Sequence, residues 1–448
     1  MLTGPMLIAA FIIALALLFL LIIKWKVEPF LALTIIAFVT AIGIGIPLKE
    51  VPGIVTSGFG STLTGVGILI GLGVIFGQFL GASGAIERIA DSLLKIFGIK
   101  NSPAGLAVSG TIVSIPVFFD AAFVILSGLL KSLATRTGIS IVTFVTALGI
   151  GLITSHNMIA PTPGPMIVAE NTGSDLGLFI LYGIICAIPA TLVGGFLYGM
   201  FIGKRVKTES TIEDEAIENE ELGQRKQIST GLSFGMLALP IVLILANTFS
   251  KMLVPGTSIE TFFGFIGDKN IALLISVLVA IIALRPYIAE NYNKLYSEAI
   301  ATAGMIVLIT GAGGAFGAVI NHSGIGDYLI TTMQSWSIPV LMLAFIFSQI
   351  LRASLGSSTV ALVTTSTIMG PLIVDLGVSP ILLGLAICAG GIGLSLPNDS
   401  GFWVVNRFGK LTVPQTLKVW TLGGFIAGLT ALATVYVLSL FSGILPGL

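Results

Sequence analysis

Apolar runs of at least 17 residues recur along the chain from end to end. Each is about long enough to cross ~30 Å of hydrocarbon as a helix. They lie at about 6–23, 29–47, 63–82, 104–130, 139–171, 176–203, 231–249, 270–286, 300–321, 341–370, 380–405 and 418–441. Only 9% of the residues are charged, against roughly a quarter in soluble domains. The chain therefore reads as an all-α polytopic membrane protein, and its length counts spans rather than globular domains.

The first run has no basic segment ahead of it and no small-residue cleavage site, and Lys24 and Lys26 follow it. It is read as a retained span, not a signal peptide. Cys186 and Cys388 sit in separate apolar runs, so neither a disulfide framework nor a metal-ligand spacing is present. No cofactor or metal is expected. Net charge is zero, with no basic patch to suggest nucleic acid.

One polar stretch, 204–227, interrupts the runs and holds an acidic segment between basic ends. It reads as a linker (204–230) between an N-terminal repeat, 1–203, and a C-terminal repeat, 231–448. "GLGVIFGQFLGASG" (71–84) matches "GAGGAFGAVINHSG" (311–324) at an offset of 240, and Asn157 pairs with Asn398 at nearly the same offset. If 104–130 and 341–370 are re-entrant hairpins, each half has five crossings, and the odd number inverts the second repeat. With the N-terminus outside, 17 of the 21 Lys and Arg then face the cytoplasm, as the positive-inside rule requires. Only Lys49, Lys251 and Lys269 fall outside, and Arg352 lies within a hairpin. A full crossing at 104–130 would instead turn Lys204, Arg205, Lys207, Arg225 and Lys226 outward. The expectation is two inverted repeats of five transmembrane helices, each with a hairpin and a broken helix.

The breaks and tips carry the candidate site. "GLITSHNMIAPTPGPMIVAEN" (151–171) starts as a membrane helix and then places His156, Asn157 and three prolines where the helix should continue. Its counterpart is "SLPNDSGF" (395–402). Irregular backbone at membrane depth is tolerated only where it is buried in protein or lines a wet cavity, and transporters place substrate at such breaks. The first hairpin tip, "SIPVFFDAAF" (114–123), holds Asp120. The second, "LRASLGSSTVAL" (351–362), holds Arg352 beside Ser354, Gly356, Ser357, Ser358 and Thr359. Small, hydroxyl-rich residues let backbone N–H groups approach an anion, and a guanidinium can grip a carboxylate with two hydrogen bonds. An intramembrane charge is a functional candidate by default, although Arg352 could equally form a structural pair with an aspartate. His156, Asn157, Thr162, Asn398, Asp399 and Ser400 complete the candidate substrate contacts. Asp120, His156 and Asp399 are the protonatable groups available for coupling. His322 is expected in an outer loop, solvated.

"SHNMIAPTPGP", "FFDAAFVIL", "LRASLGSSTVALVTT" and "PNDSGFW" resemble the signature regions of the gluconate permease family, and the resemblance covers essentially the whole chain. It implies a bacterial inner-membrane proton symporter for gluconate or a related sugar acid, with D-serine and glycerate carriers among the relatives. It also implies a homodimer in which a transport domain moves against a scaffold. Three positions depart from the family pattern: Thr162 and Leu396 stand where gluconate carriers show His, and Asp120 where Glu is usual. An anion channel would need a continuous polar pore or charge rings. A membrane enzyme would need a catalytic pairing, and the sequence contains no zinc motif or nucleophile elbow. It contains no GxxxxGK[ST] phosphate loop for an ATP-driven pump.

Overall fold

Helices follow the apolar runs, and further short helices fill segments between them. In the first half they are α1 (Pro5–Phe19), α2 (Pro29–Gly43), α3 (Val51–Ala82), α4 (Ala85–Phe97), α5 (Ser102–Val113), α6 (Phe119–Thr137), α7 (Ile141–Met158), α8 (Pro163–Thr172), α9 (Leu176–Ala190) and α10 (Tyr198–Gly203). The second half contributes α11 (Thr230–Leu253), α12 (Ser258–Ile266), α13 (Lys269–Leu284), α14 (Tyr292–His322), α15 (Val340–Leu355) and α16 (Ser358–Met369). It closes with α17 (Pro380–Ile392), α18 (Ser400–Phe408), α19 (Val413–Thr416) and α20 (Leu422–Ser439). Two π-helical turns, Thr191–Leu197 and Leu417–Thr421, lead into α10 and α20. This computed structural model describes residues 4–206, 227–289, 291–324, 339–370, 377–397 and 399–448. Most of the expected linker therefore lies outside the described residues. Among the described residues, six helical stretches are long and apolar enough to cross a membrane, one of them the broken Ile141–Thr172.

The two Gly-rich motifs lie on the two longest helices, α3 and α14, which pack along their length. Phe79 near the end of α3 lies 5.8 Å from Tyr292 at the start of α14. Glu50, just ahead of α3, meets His322 at the end of α14. The motif-bearing helices therefore run antiparallel. Both extend beyond the apolar runs of the sequence, to Val51 and Tyr292. Gly58 and Thr62 of α3 lie directly against Ala318 and Gly314 of α14, so the helix continues where the apolar count stops. His322 is the last residue of α14 and faces Glu50 at 3.8 Å, not a bare loop position.

α7 is buried on every side from Val142 to Met158, which marks a helix at the centre of a bundle. The entry arm of the first hairpin, α5, lies against it through two glycines. A Cβ on Gly151 would stand 2.2 Å from the Ala107 carbonyl oxygen, and one on Gly110 2.8 Å from that of Leu148. In lipid, where apolar side chains gain little by leaving their solvent, such close backbone contact supplies the packing energy. The first hairpin is thereby fixed beside the break in the next span.

Candidate functional site

Each break is built from residues that leave few backbone groups unanswered. α7 stops at Met158, and the chain turns extended at Ile159 (φ −121°, ψ 119°). The Thr162 hydroxyl then donates to the carbonyls of His156 (2.9 Å) and Ile159 (2.8 Å), which α7 has left open. α8 restarts with Pro163 and Pro165 in its first turn, where a missing N–H costs nothing. In the second half α17 ends at Ile392, and Leu394 takes a left-handed conformation (φ 49°). Asp399 restarts the helix as N-cap of α18, its Oδ1 accepting from Gly401 N at 3.0 Å.

The hairpin tips are equally local. In the first, Ser114 Oγ donates to the Val117 carbonyl (2.9 Å), and the chain re-enters helix at Phe119. In the second, Gly356 closes α15 in the left-handed region (φ 67°), its N–H returning to the Arg352 carbonyl. A glycine just past a helix end accepts that conformation without Cβ strain. Ser357 then caps α16, accepting from Val360 N at 3.4 Å.

Tips and breaks meet at one cavity of about 390 Å³. Three helix N-termini open on it: α6 through Phe118–Asp120, α16 through Ser357–Val360, and α18 through Asp399–Gly401. Arg352 and His156 line it as well, while Met305, Ile306 and Ile309 of α14 form an apolar wall. Helix N-termini carry unpaired N–H groups and a partial positive charge, so the cavity is set for an anion. Two carboxylates moderate this charge. Asp399 pairs with Arg352, which is only 2% exposed, and also accepts from Ser395 Oγ. Asp120 forms no ion pair among the described residues: Oδ2 accepts from Ser400 Oγ at 3.1 Å, and Oδ1 has no hydrogen-bond partner there.

Of the candidates named from sequence, Asp120, His156, Arg352, Gly356, Ser357, Ser358, Thr359, Asp399 and Ser400 line this cavity. Thr162 and Asn157 do not. Thr162 holds the first break, and Asn157 is fully buried, its amide donating to the Ile153 carbonyl at 2.9 Å. Ser354 falls in the last turn of α15 with its side chain outside the described residues, as is Asn398. Sequence reasoning missed Thr302 and Thr310 on α14 and Glu28 ahead of α2, all lining the cavity. It also missed Ser395 and Trp420 behind it. Only Ser395 carried a signal, its place beside the broken "LPND".

The cavity faces one side of the molecule. Exposed Glu28 lines it, and Glu28 precedes α2, whose other end leads to Glu50 and the start of α3. Along α3, Gly65 lies at Glu170, Gly73 at the Pro161 carbonyl of the first break, and Gly77 at the Pro116 carbonyl of the first tip. Glu170 is therefore on the Glu50 side of the break, away from Glu28. There it forms an ion pair with Lys269 at the start of α13.

A sequence profile of the GntP family permeases matches residues 6–441. An uncharacterized permease of Haemophilus influenzae is 37% identical over 440 residues, covering 94% of this chain and 90% of the relative. The low-affinity gluconate transporter of Escherichia coli K12 is 33% identical over 419 residues, covering 92% and 93%. The gluconate permease of Bacillus subtilis is 32% identical over 450 residues, covering 97% and 99%. In three dimensions the chain is similar to the YdaH transporter of Alcanivorax borkumensis, whose crystal structure shows an unusual topology. The TM-score is 0.66 at 14% identity, covering 92% of this chain and 98% of that one, a likeness of fold. Profile, relatives and the helical span pattern agree: this chain belongs to the GntP permease family and is a multi-pass bacterial membrane transporter, not an enzyme.

Proposed function

We propose that the chain is a secondary transporter that imports a small hydroxylated carboxylate such as gluconate, driven by protons. The observation that carries this reading is the convergence of three helix N-termini and Arg352 on one cavity. The substrate carboxylate binds at the second hairpin tip, where the N–H groups of α16 and the hydroxyls of Ser357, Ser358 and Thr359 point to an anion. Its carbon chain lies along Met305, Ile306 and Ile309, and its hydroxyls reach Thr302, Thr310 and Ser400. The names of the relatives in Escherichia coli and Bacillus subtilis support a gluconate-like acid. Glycerate and D-serine stay in the same reading, since Thr162 and Leu396 stand where gluconate carriers are expected to show histidine and neither lines the cavity.

Asp120 is the proton carrier in this scheme. Its Oδ1, without a hydrogen-bond partner among the described residues, can take a proton without breaking an ion pair, whereas Asp399 is held by Arg352. Antiparallel α3 and α14 support inverted repeats, in which the hairpins and breaks move together against the remaining helices. A homodimer of such units belongs to the same reading.

The test is uptake of radiolabelled gluconate into proteoliposomes with an inward proton gradient, competed by glycerate and D-serine. Accumulation that collapses with a protonophore supports the scheme. Accumulation that survives the protonophore and follows a sodium gradient would replace proton coupling.

A further inference from the structure

Trp420 is outside the cavity lining yet touches both halves of the site. It is 2% exposed and lies on the π-helical turn Leu417–Thr421. Single π-turns inside helical runs occur often at functional sites. Its ring stacks on Phe119, the residue before Asp120, at 4.9 Å and 29°. Gly149 of α7 makes the space, since a Cβ there would stand 3.1 Å from the indole. On its other edge, Trp420 Nε1 donates to Ser395 Oγ at 2.7 Å. Ser395 Oγ donates in turn to Asp399 Oδ2, the same oxygen that receives Arg352 Nη2. The backbone of Ser395 is pinned as well, its carbonyl accepting from Thr421 Oγ1.

The direction of this chain is fixed by chemistry. An indole N–H can only donate, whereas a hydroxyl has one proton to give and can turn. With Trp420 donating to it, Ser395 keeps its acceptor side toward the indole and its proton toward Asp399. Asp399 Oδ2 is thereby held as an acceptor in the place where Arg352 meets it. The next residue, Ser400, donates to Asp120, so the placement of Asp399 also sets that contact. The links of such a buried chain depend on one another, so deletions along it do not add.

We propose that Trp420 is a positioning residue of the anion site, acting through Ser395 to hold Asp399 against Arg352. The inference rests on the transport reading above. Trp420→Phe removes the donor and keeps a smaller aromatic ring against Phe119, opening some space beside Gly149. Its KM for the transported acid should rise about tenfold, the loss of one hydrogen bond in a charged network, with membrane abundance and Vmax close to wild type. Ser395→Ala removes the middle of the chain without touching the ring, and should raise KM to a similar degree. The double variant should be no worse than the worse single, because both break one chain. Wild-type KM in Ser395→Ala, or effects that multiply in the double variant, would overturn the proposal even if Trp420→Phe folds poorly. A wild type that takes up none of gluconate, glycerate and D-serine would overturn the transport reading instead.

Discussion

Arg352 reaches Asp399 with Nη2, while its Nε and Nη1 have no partner among the described residues. A buried guanidinium with part of its fork unspent is both tied down and still able to receive an anion. Removing one partner of such a pair strands a charge, at a cost of about 3–5 kcal/mol. Arg352→Ala should therefore lose uptake and much of its abundance. The double variant Arg352→Ala/Asp399→Ala should recover abundance but not uptake. Arg352→Lys, which keeps charge and loses the fork, should fold and show a raised KM. Abundance and thermal stability in detergent, measured beside initial rates, check all three. Normal uptake by a well-folded Arg352→Ala would remove Arg352 from binding.

Asp120 is the carboxyl whose loss should separate coupling from translocation. In Asp120→Asn, accumulation driven by a pH gradient should disappear, while exchange of internal for external substrate continues at reduced rate. The amide can still accept from Ser400. Counterflow and gradient-driven uptake in the same vesicles give the comparison, and full accumulation by the variant would exclude Asp120 as carrier.

Thr162 should act on stability and leave affinity alone. Its hydroxyl serves two carbonyls of the first break and does not line the cavity. Thr162→Val leaves both unanswered and should cost about 1–3 kcal/mol, seen as a lower melting temperature with KM near wild type. Thr162→Ser should behave as wild type. A raised KM at unchanged stability would instead place Thr162 in contact with substrate.

The two faces of the molecule can be assigned by labelling. The distribution of basic residues puts Thr257 outside and Lys100 in the cytoplasm. Single cysteines at these exposed positions should react with a membrane-impermeant maleimide in intact cells at Thr257→Cys, and at Lys100→Cys only after lysis. The reverse result would invert the topology and with it the face toward which Glu28 and the cavity open.

The sequence by itself determined that the chain spans a membrane, because twelve apolar runs and 9% charge leave no other solvent for it. It also located both tips and both breaks, because a proline or a lone charge inside an apolar run has few uses other than a site. Hydropathy stops where glycine and hydroxyl residues take over, so it could not see α3 beginning at Val51 or α14 at Tyr292; helix–helix contact decided those ends. Nor could residue type separate the candidates into contacts and supports. Thr162 and Ser357 are both hydroxyls beside a helix start, yet one faces the carbonyls of α7 and the other the cavity. Arg352 could have met either a substrate or an aspartate 47 positions away, and the folded chain brought Asp399 to it. Trp420 had no local signal at all, since its role comes from Phe119 and Ser395, which are distant in sequence. Such partners are fixed only when separate helices pack, so the tertiary structure alone assigned them.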